Sequence, residues 1–195
     1  MPEKDLEFAA EWLELERYNF KILTIATILA DENRAYRGKL SEFCEHIGIQ
    51  NSSANISKIR NSLGMLADND YIRLIVDKDI YTISLANSME KSKNIIQIKR
   101  AWYKLIRDNQ NKASWENTLK VFLILLEMPR DKIITYADIG NMIGVKTQTV
   151  KNCMNTLKKI DFKDFAFDIH LERVKLANGE FRTLGQTYNQ ILIFE

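Results

Sequence analysis

A chain of 195 residues with 46% hydrophobic residues and 28 Lys+Arg against 26 Asp+Glu carries enough apolar content for one ordinary core or two small ones, which excludes a chain disordered throughout. Only 7 Gly and 2 Pro exclude collagen-like and low-complexity classes and argue against a turn-dense sandwich or barrel, so helices should dominate. The two cysteines, Cys44 and Cys153, lie far apart, which leaves neither a disulfide framework nor a thiolate zinc site and points to reduced thiols in the cytoplasm.

No stretch nears the length of about eighteen apolar residues that a membrane span needs, and the start of the chain is acidic where a signal peptide would be basic, so a soluble protein without a membrane partner is expected. Residues 1–17 hold six acids (Glu3, Asp5, Glu7, Glu11, Glu14, Glu16) against two bases. Among them Leu6, Phe8, Ala9, Trp12, Leu13 and Leu15 make an amphipathic segment suited to packing on a following domain or on a partner.

Residues 19–31 then place Phe20, Ile22, Leu23, Ala26 and Leu29 at helical spacing, and residues 33–38 break the pattern. Residues 40–47 form a short helix with Leu40, Phe43, Cys44 and Ile47 on one stripe, closed by Gly48 where a left-handed residue is needed. A third helix over residues 52–67 turns Ile56, Ile59, Leu63 and Leu66 to the core after Asn51 or Ser52 as N-cap. Two β-rich runs, residues 71–76 and 80–85, are separated by Asp77, Lys78 and Asp79 and read as a hairpin.

Residues 88–112 combine Ile95, Ile98, Trp102, Leu105 and Ile106 on one helical side with seven bases (Lys91, Lys93, Lys99, Arg100, Lys104, Arg107, Lys112), and over residues 91–112 these stand against Asp108 alone. That spacing predicts a basic linking helix with Trp102 and Tyr103 as core or interface anchors, its charged side free to follow phosphates.

The order of elements then returns at a period of about 95 residues. A helix over 116–128 carries Leu119, Phe122, Leu125 and Leu126, and Lys132, Ile133 and Ile134 are extended. Thr135 with Asp138 comes close to a capping box and opens a helix ending at Ile143 and Gly144. Val145, Val150, Leu157 and Ile160 match Ile49, Ile56, Leu63 and Leu66 once the first copy has two extra turn residues. A β region over 165–194 contains Asn178-Gly179 as a two-residue hairpin turn and a further run over 188–194.

This order of helix, short extended stretch, helix, Gly-apolar turn, longer helix and hairpin resembles the winged helix-turn-helix superfamily over residues 19–86 and 116–194. The most specific parts are residues 40–59 with Ile47-Gly48-Ile49 and residues 136–157 with Ile143-Gly144-Val145. The resemblance implies an α+β fold, mainly α with small β-hairpins. Its tandem winged-helix domains (18–87 and 115–195) would be joined by a basic linking helix (88–114) and preceded by the acidic segment (1–17). It further implies a major-groove role for each third helix.

The residues exposed there would be Gln50, Asn51, Ser52, Ser53, Asn55, Ser57, Lys58, Arg60 and Asn61 in the first copy. In the second they would be Lys146, Thr147, Gln148, Thr149, Lys151, Asn152, Asn155, Lys158 and Lys159. Asn and Gln can pair with adenine through two hydrogen bonds, hydroxyls can bind phosphates or bases, and Lys or Arg supplies the charge that a polyanion requires. No Asp or Glu occurs in residues 46–67 or 139–160, so both turns and third helices lack negative side chains. Arg73 and Lys78 in the first hairpin, and Arg173, Lys175 and Arg182 in the second, are candidate wing contacts, although such charges also protect strand edges.

Double-stranded DNA is therefore the expected partner, in transcription control or in replication initiation on a mobile element, with a nucleoid-associated location. A homodimer through the N-terminal segment or the linking helix is also open. A protein-interaction scaffold is the other reading, since in size and architecture the chain is similar to the tandem winged-helix subunits of bacterial condensin. Asp168, His170 and Glu172 alternate on one strand face and could hold a divalent metal, but an alternating polar face explains them equally. Without a phosphate loop, nucleophile elbow or metal-spaced Cys and His, neither catalysis nor a cofactor is expected.

Overall fold

The structure, a computed structural model of the chain, describes residues 5–109, 113–177 and 179–192. Glu3, Lys112, Asn178 and residues 193–194, which figure in the sequence reading, lie outside them. The protein belongs to the α+β class with small antiparallel sheets, and it divides into two compact units, Met1–Ile98 and Lys99–Glu195.

In the first unit, the acidic segment forms β1 (Leu6–Ala9) and a single 3-10 turn (Ala10–Glu14), followed by α1 (Arg17–Leu29). Its apolar members Leu6, Phe8, Trp12 and Leu13 are buried within the unit, with the Phe8 ring 6.2 Å from that of Trp12 and 6.3 Å from that of Phe20. The segment thus packs on its own domain. Arg34 Nε donates to Glu7 Oε2 at 2.8 Å, tying it to the turn after α1.

That turn holds β2 (Ala35–Gly38), then come α2 (Leu40–Ile47), α3 (Ser53–Asp68), β3 (Arg73–Asp77) and β4 (Ile80–Ser84). The three strands form an antiparallel sheet in the order β2-β4-β3, with Tyr36 opposite Ile83 and Leu74 opposite the same residue on the other side. Ile22, Leu23, Phe43, Ile59, Leu63 and Ile83 are fully covered between the helices and this sheet. Ile56, expected in that core, is half-buried.

The expected linking helix is not one helix. Residues 88–112 contain the end of α4 (Ala86–Lys91), then β5 (Ile95–Ile98) and α5 (Arg100–Asp108). β5 pairs antiparallel with β1, Leu6 facing Ile98 and Phe8 facing Ile96, so it belongs to the first unit, while α5 opens the second. Three β-branched residues in four positions favour extension once β1 offers backbone partners. The helical stripe through Ile95, Ile98 and Trp102 arises because the alternation of a strand and the first turn of a helix meet at Lys99.

In the second unit, α5 is anchored by Trp102, whose ring lies 4.9 Å from Phe165 and 5.9 Å from Phe122. Its Nε1 donates to Asp164 Oδ1 at 2.9 Å. Lys99 also pairs with Asp164, and these two hydrogen bonds hold the Asp164 carboxyl below the usual carboxylate range.

Next come α6 (Trp115–Glu127), α7 (Tyr136–Ile143) and α8 (Thr147–Leu157). The unit closes with a ribbon of β6 (Phe165–Lys175) and β7 (Phe181–Leu192). Within the described residues this ribbon follows the β region expected over 165–194, and β7 is continuous where a hairpin and a further run were expected. Ile134 pairs with Gln186 through two backbone bonds of 2.9 Å. Gly185 permits this approach, since a Cβ there would lie 2.8 Å from Ile133 Cγ2 and 2.9 Å from the Ile134 carbonyl oxygen.

α6 is covered on every side from Trp115 to Leu125, including Lys120, which is 1% exposed. Burial disfavours the charged form and pushes the Lys120 ammonium down to about 8.

Two outcomes follow. Trp102→Ala removes a buried aromatic anchor and is expected to destabilise the second unit by about 3–5 kcal/mol, measured by urea unfolding of the full chain followed by circular dichroism. Lys120 has a lower pKa folded than unfolded. Its burial penalty is therefore complete below about pH 8 and is relieved as the pH rises toward 10.5. The stability of the parent should therefore gain a rising contribution across that window, and Lys120→Met should lose that contribution, in unfolding curves taken at stepped pH.

Candidate nucleic-acid interface

The presentation of α8 is set at the corner before it. Thr135 Oγ1 accepts from the Asp138 backbone N–H at 3.1 Å while Asp138 Oδ2 accepts from the Thr135 N–H at 2.9 Å, which fixes the start of α7. These bonds keep the Asp138 carboxyl below its ordinary range. At the other end Gly144 is left-handed (φ 68°), and the Val145 N–H donates to the Gly140 carbonyl at 2.9 Å. A Cβ on Gly140 would lie 2.6 Å from the Val145 carbonyl oxygen, so the chain can turn this tightly only where that position has no side chain.

Ile139, Ile143, Val150, Cys153 and Leu157 are buried on the inner side of the pair. Burial pushes the Cys153 thiol up to about 11, which leaves it unreactive near neutral pH.

The outer side of α8 exposes Thr147, Gln148, Lys151 and Asn155, flanked by exposed Lys146 before the helix and Lys158 and Lys159 after it. Thr149 and Asn152 are half-buried. Gln148 Nε2 donates to Asn152 Oδ1 at 3.0 Å, which leaves the Gln148 carbonyl and the Asn152 amide N–H groups as the unmatched halves of a pair that could read a base edge. The first acid beyond the helix, Asp161, is engaged by Lys163 at 2.6 Å.

Facing the start of α8 is the base of the ribbon. Thr135, Tyr136, Thr147, Leu171, Thr183 and Gln186 line a cleft of about 300 Å³. Arg173, Lys175 and Arg182 are all exposed farther out. The two strands slip by one residue between Glu172 and Arg173, so that Glu172 faces Gly185 and Arg173 faces Thr183, with Leu184 as the extra residue. The turn beyond is closed by the Leu176 N–H donating to Glu180 at 2.7 Å and the Gly179 N–H donating to Leu176 at 2.9 Å. Sequence reasoning missed Leu184 and Phe181, which are 45% and 66% exposed. Phe181 and Leu184 stand three residues apart and follow no two-residue alternation, so no local signal marked them.

The first unit offers a different surface. Asn51, Ser53, Ser57, Lys58 and Asn61 are exposed on or before α3. Asn55 is half-buried and its Nδ2 donates to the Gln50 carbonyl at 2.8 Å, while its backbone N–H caps on Ser52 Oγ at 3.3 Å. Arg60 is exposed, but its Nε donates to Tyr81 Oη at 2.9 Å, pinning it to the sheet. Lys78 sits left-handed (φ 55°) at the hairpin turn between Asp77 and Asp79, so that tip carries more negative than positive charge. Arg73 is exposed on β3, one of the two edge strands, beside Ile75 and Val76, which are 52% and 51% exposed.

The basic stretch is divided among three elements, and several of its charges are paired within their own unit. Lys91 lies 3.7 Å from Asp70, Arg107 lies 3.6 Å from Asp108, and Lys99 is held by Asp164. On the alternating face of β6, His170 Nε2 and Asp168 Oδ2 are 2.8 Å apart. Among the described residues no three of His, Cys, Asp or Glu converge on a metal-binding point, and no helix is long and apolar enough to cross a membrane. Comparison with protein-family models and with curated protein sequences finds no match for this chain.

The corner itself is testable. Gly140→Ala forces the Val145 carbonyl away and is expected to destabilise the second unit by about 1–3 kcal/mol. Thermal unfolding should show the loss, with earlier amide exchange along α8 than in the parent.

Proposed function

We propose that the chain is a duplex-DNA-binding protein built of two winged-helix modules, acting as a regulator of transcription or as a replication initiator, with α8 as the principal reading helix. The observation that carries this reading is the outer side of α8. A helix of eleven residues stands with amides, hydroxyls and lysines outward, no acid lies within residues 139–160, and a tight corner holds it against α7. A major groove admits a helix of this kind, its side chains meeting base edges while its flanking lysines meet phosphates.

The cleft beside Thr147 supports the same reading, since a sugar-phosphate strand passing between helix and ribbon would find hydroxyls on both sides. For the first module, α3 offers Asn51, Ser53, Ser57, Lys58 and Asn61 in the same role, with less charge.

One observation favours the protein-scaffold reading for that module alone. Ile75 and Val76 are about half exposed on the edge strand β3, a surface suited to a partner chain.

The lysines on and after α8 decide between the two. Lys151→Glu combined with Lys158→Glu should weaken binding to any duplex by one to several orders of magnitude and flatten the dependence of the binding constant on salt, because counterion release scales with phosphate contacts. Fluorescence anisotropy with random-sequence duplex across a salt series measures both. Unchanged binding, or none by the parent chain, would favour the scaffold.

A further inference from the structure

The outer half of the ribbon is exposed on both faces from Arg173 to Leu184 among the described residues. Residues paired across two strands share a face, and alternate residues along a strand change face. The register therefore puts Leu171, Arg173, Lys175, Phe181 and Thr183 on one face. Glu172, Val174 and Arg182 lie on the other, joined at the turn by Leu176 and Glu180. Both acids of the outer ribbon fall on the second face, and the first carries two cations around an aromatic ring exposed to 66%.

That first face is also the one whose base, at Leu171, Thr183 and Gln186, lines the cleft shared with Thr147 at the start of α8. Face and reading helix therefore open onto one groove. A surface with an apolar wedge between cations fits a partner that is apolar within and anionic outside, which is the cross-section of a duplex at its minor groove. Proteins that enter this groove insert Phe, Leu, Ile or Met between base steps and kink the helix toward the major groove.

We infer that the β6–β7 ribbon enters the minor groove next to α8 and wedges Phe181 between base pairs, so that the protein bends the DNA it binds. Lys175, the cross-strand partner of Phe181, and Arg173 would hold the phosphates or groove edges on either side, and Leu184 would pack against the sugars at the mouth. The inference rests on the duplex-binding reading of α8, and it adds a deformation that a reading helix alone does not require. Unstacking costs a few kcal/mol per step and is offset by the additional contact that a bent duplex makes.

The test uses the full chain and a mixed-sequence duplex of about 30 base pairs labelled at both ends, a length on which a kink of this kind is readily resolved. The parent should shorten the end-to-end distance by energy transfer and raise the fluorescence of 2-aminopurine placed within the site, as an unstacked base does. At protein concentrations that saturate the duplex, Phe181→Ala should abolish both signals, and Phe181→Leu, another apolar wedge, should restore most of the bend.

Binding by the parent without bending, or equal bending by Phe181→Ala, overturns the wedge and leaves the duplex reading in place. Absence of salt-dependent duplex binding by the parent overturns both. A parent dimer in sedimentation that Phe181→Ala dissociates would assign the ribbon to a second copy of the chain instead, and would equally overturn the proposal.

Discussion

The approach of the Val145 carbonyl to within 2.6 Å of where a Gly140 side chain would begin governs the second unit. With the corner this tight, α7 and α8 share Ile139, Ile143, Val150 and Cys153 on their inner side, and the outer side of α8 is left to solvent or to a partner. A bulkier residue at position 140 would push the Val145 carbonyl away and open the angle between α7 and α8. The equivalent corner of the first unit has Cys44 in the corresponding place and a turn two residues longer. The turn there is closed by left-handed Gly48 and by the Ile49 N–H donating to the Cys44 carbonyl at 2.9 Å.

The two units differ in what they offer. The outer side of α8 is cationic and rich in amides, and the ribbon beside it segregates its acids to one face. On α3 the amide of Asn55 and the guanidinium of Arg60 already serve the fold, and the nearby hairpin turn is acidic. Its edge strand exposes Ile75 and Val76 instead. A molecule with one module reading a polyanion and the other meeting protein would carry such a difference. The apolar residues of the acidic segment and of α5, by contrast, are covered inside their own units, Phe8 and Trp12 in the first and Trp102 and Ile106 in the second.

Much of the local structure was legible without coordinates. The bounds of α2 coincide with the expected helix over 40–47, because Gly48 can close a helix and Leu40, Phe43, Cys44 and Ile47 share one stripe. α7 was marked by the Thr135 and Asp138 pair, and α8 by Val150 and Leu157, which match Ile56 and Leu63 of the first copy. Residues 88–112 were misread because three isoleucines ahead of Trp102 fit a helical period as well as an alternating one. The choice was made by β1, which lies about 90 residues away in the chain and is invisible to any local window.

The sequence by itself determined that helices, corners and hairpins occur in this order twice, since caps, glycines and apolar periods act over a few residues and are written where they act. Only the tertiary structure decided that Ile95–Ile98 is a strand, that Lys120 is sealed in a core, that Arg60 answers to Tyr81, and that Arg173, Lys175 and Phe181 share a face free of acids. Each of these depends on a partner distant in sequence or on the register in which β6 and β7 pair, and free energies of that kind exist only once the chain has closed on itself.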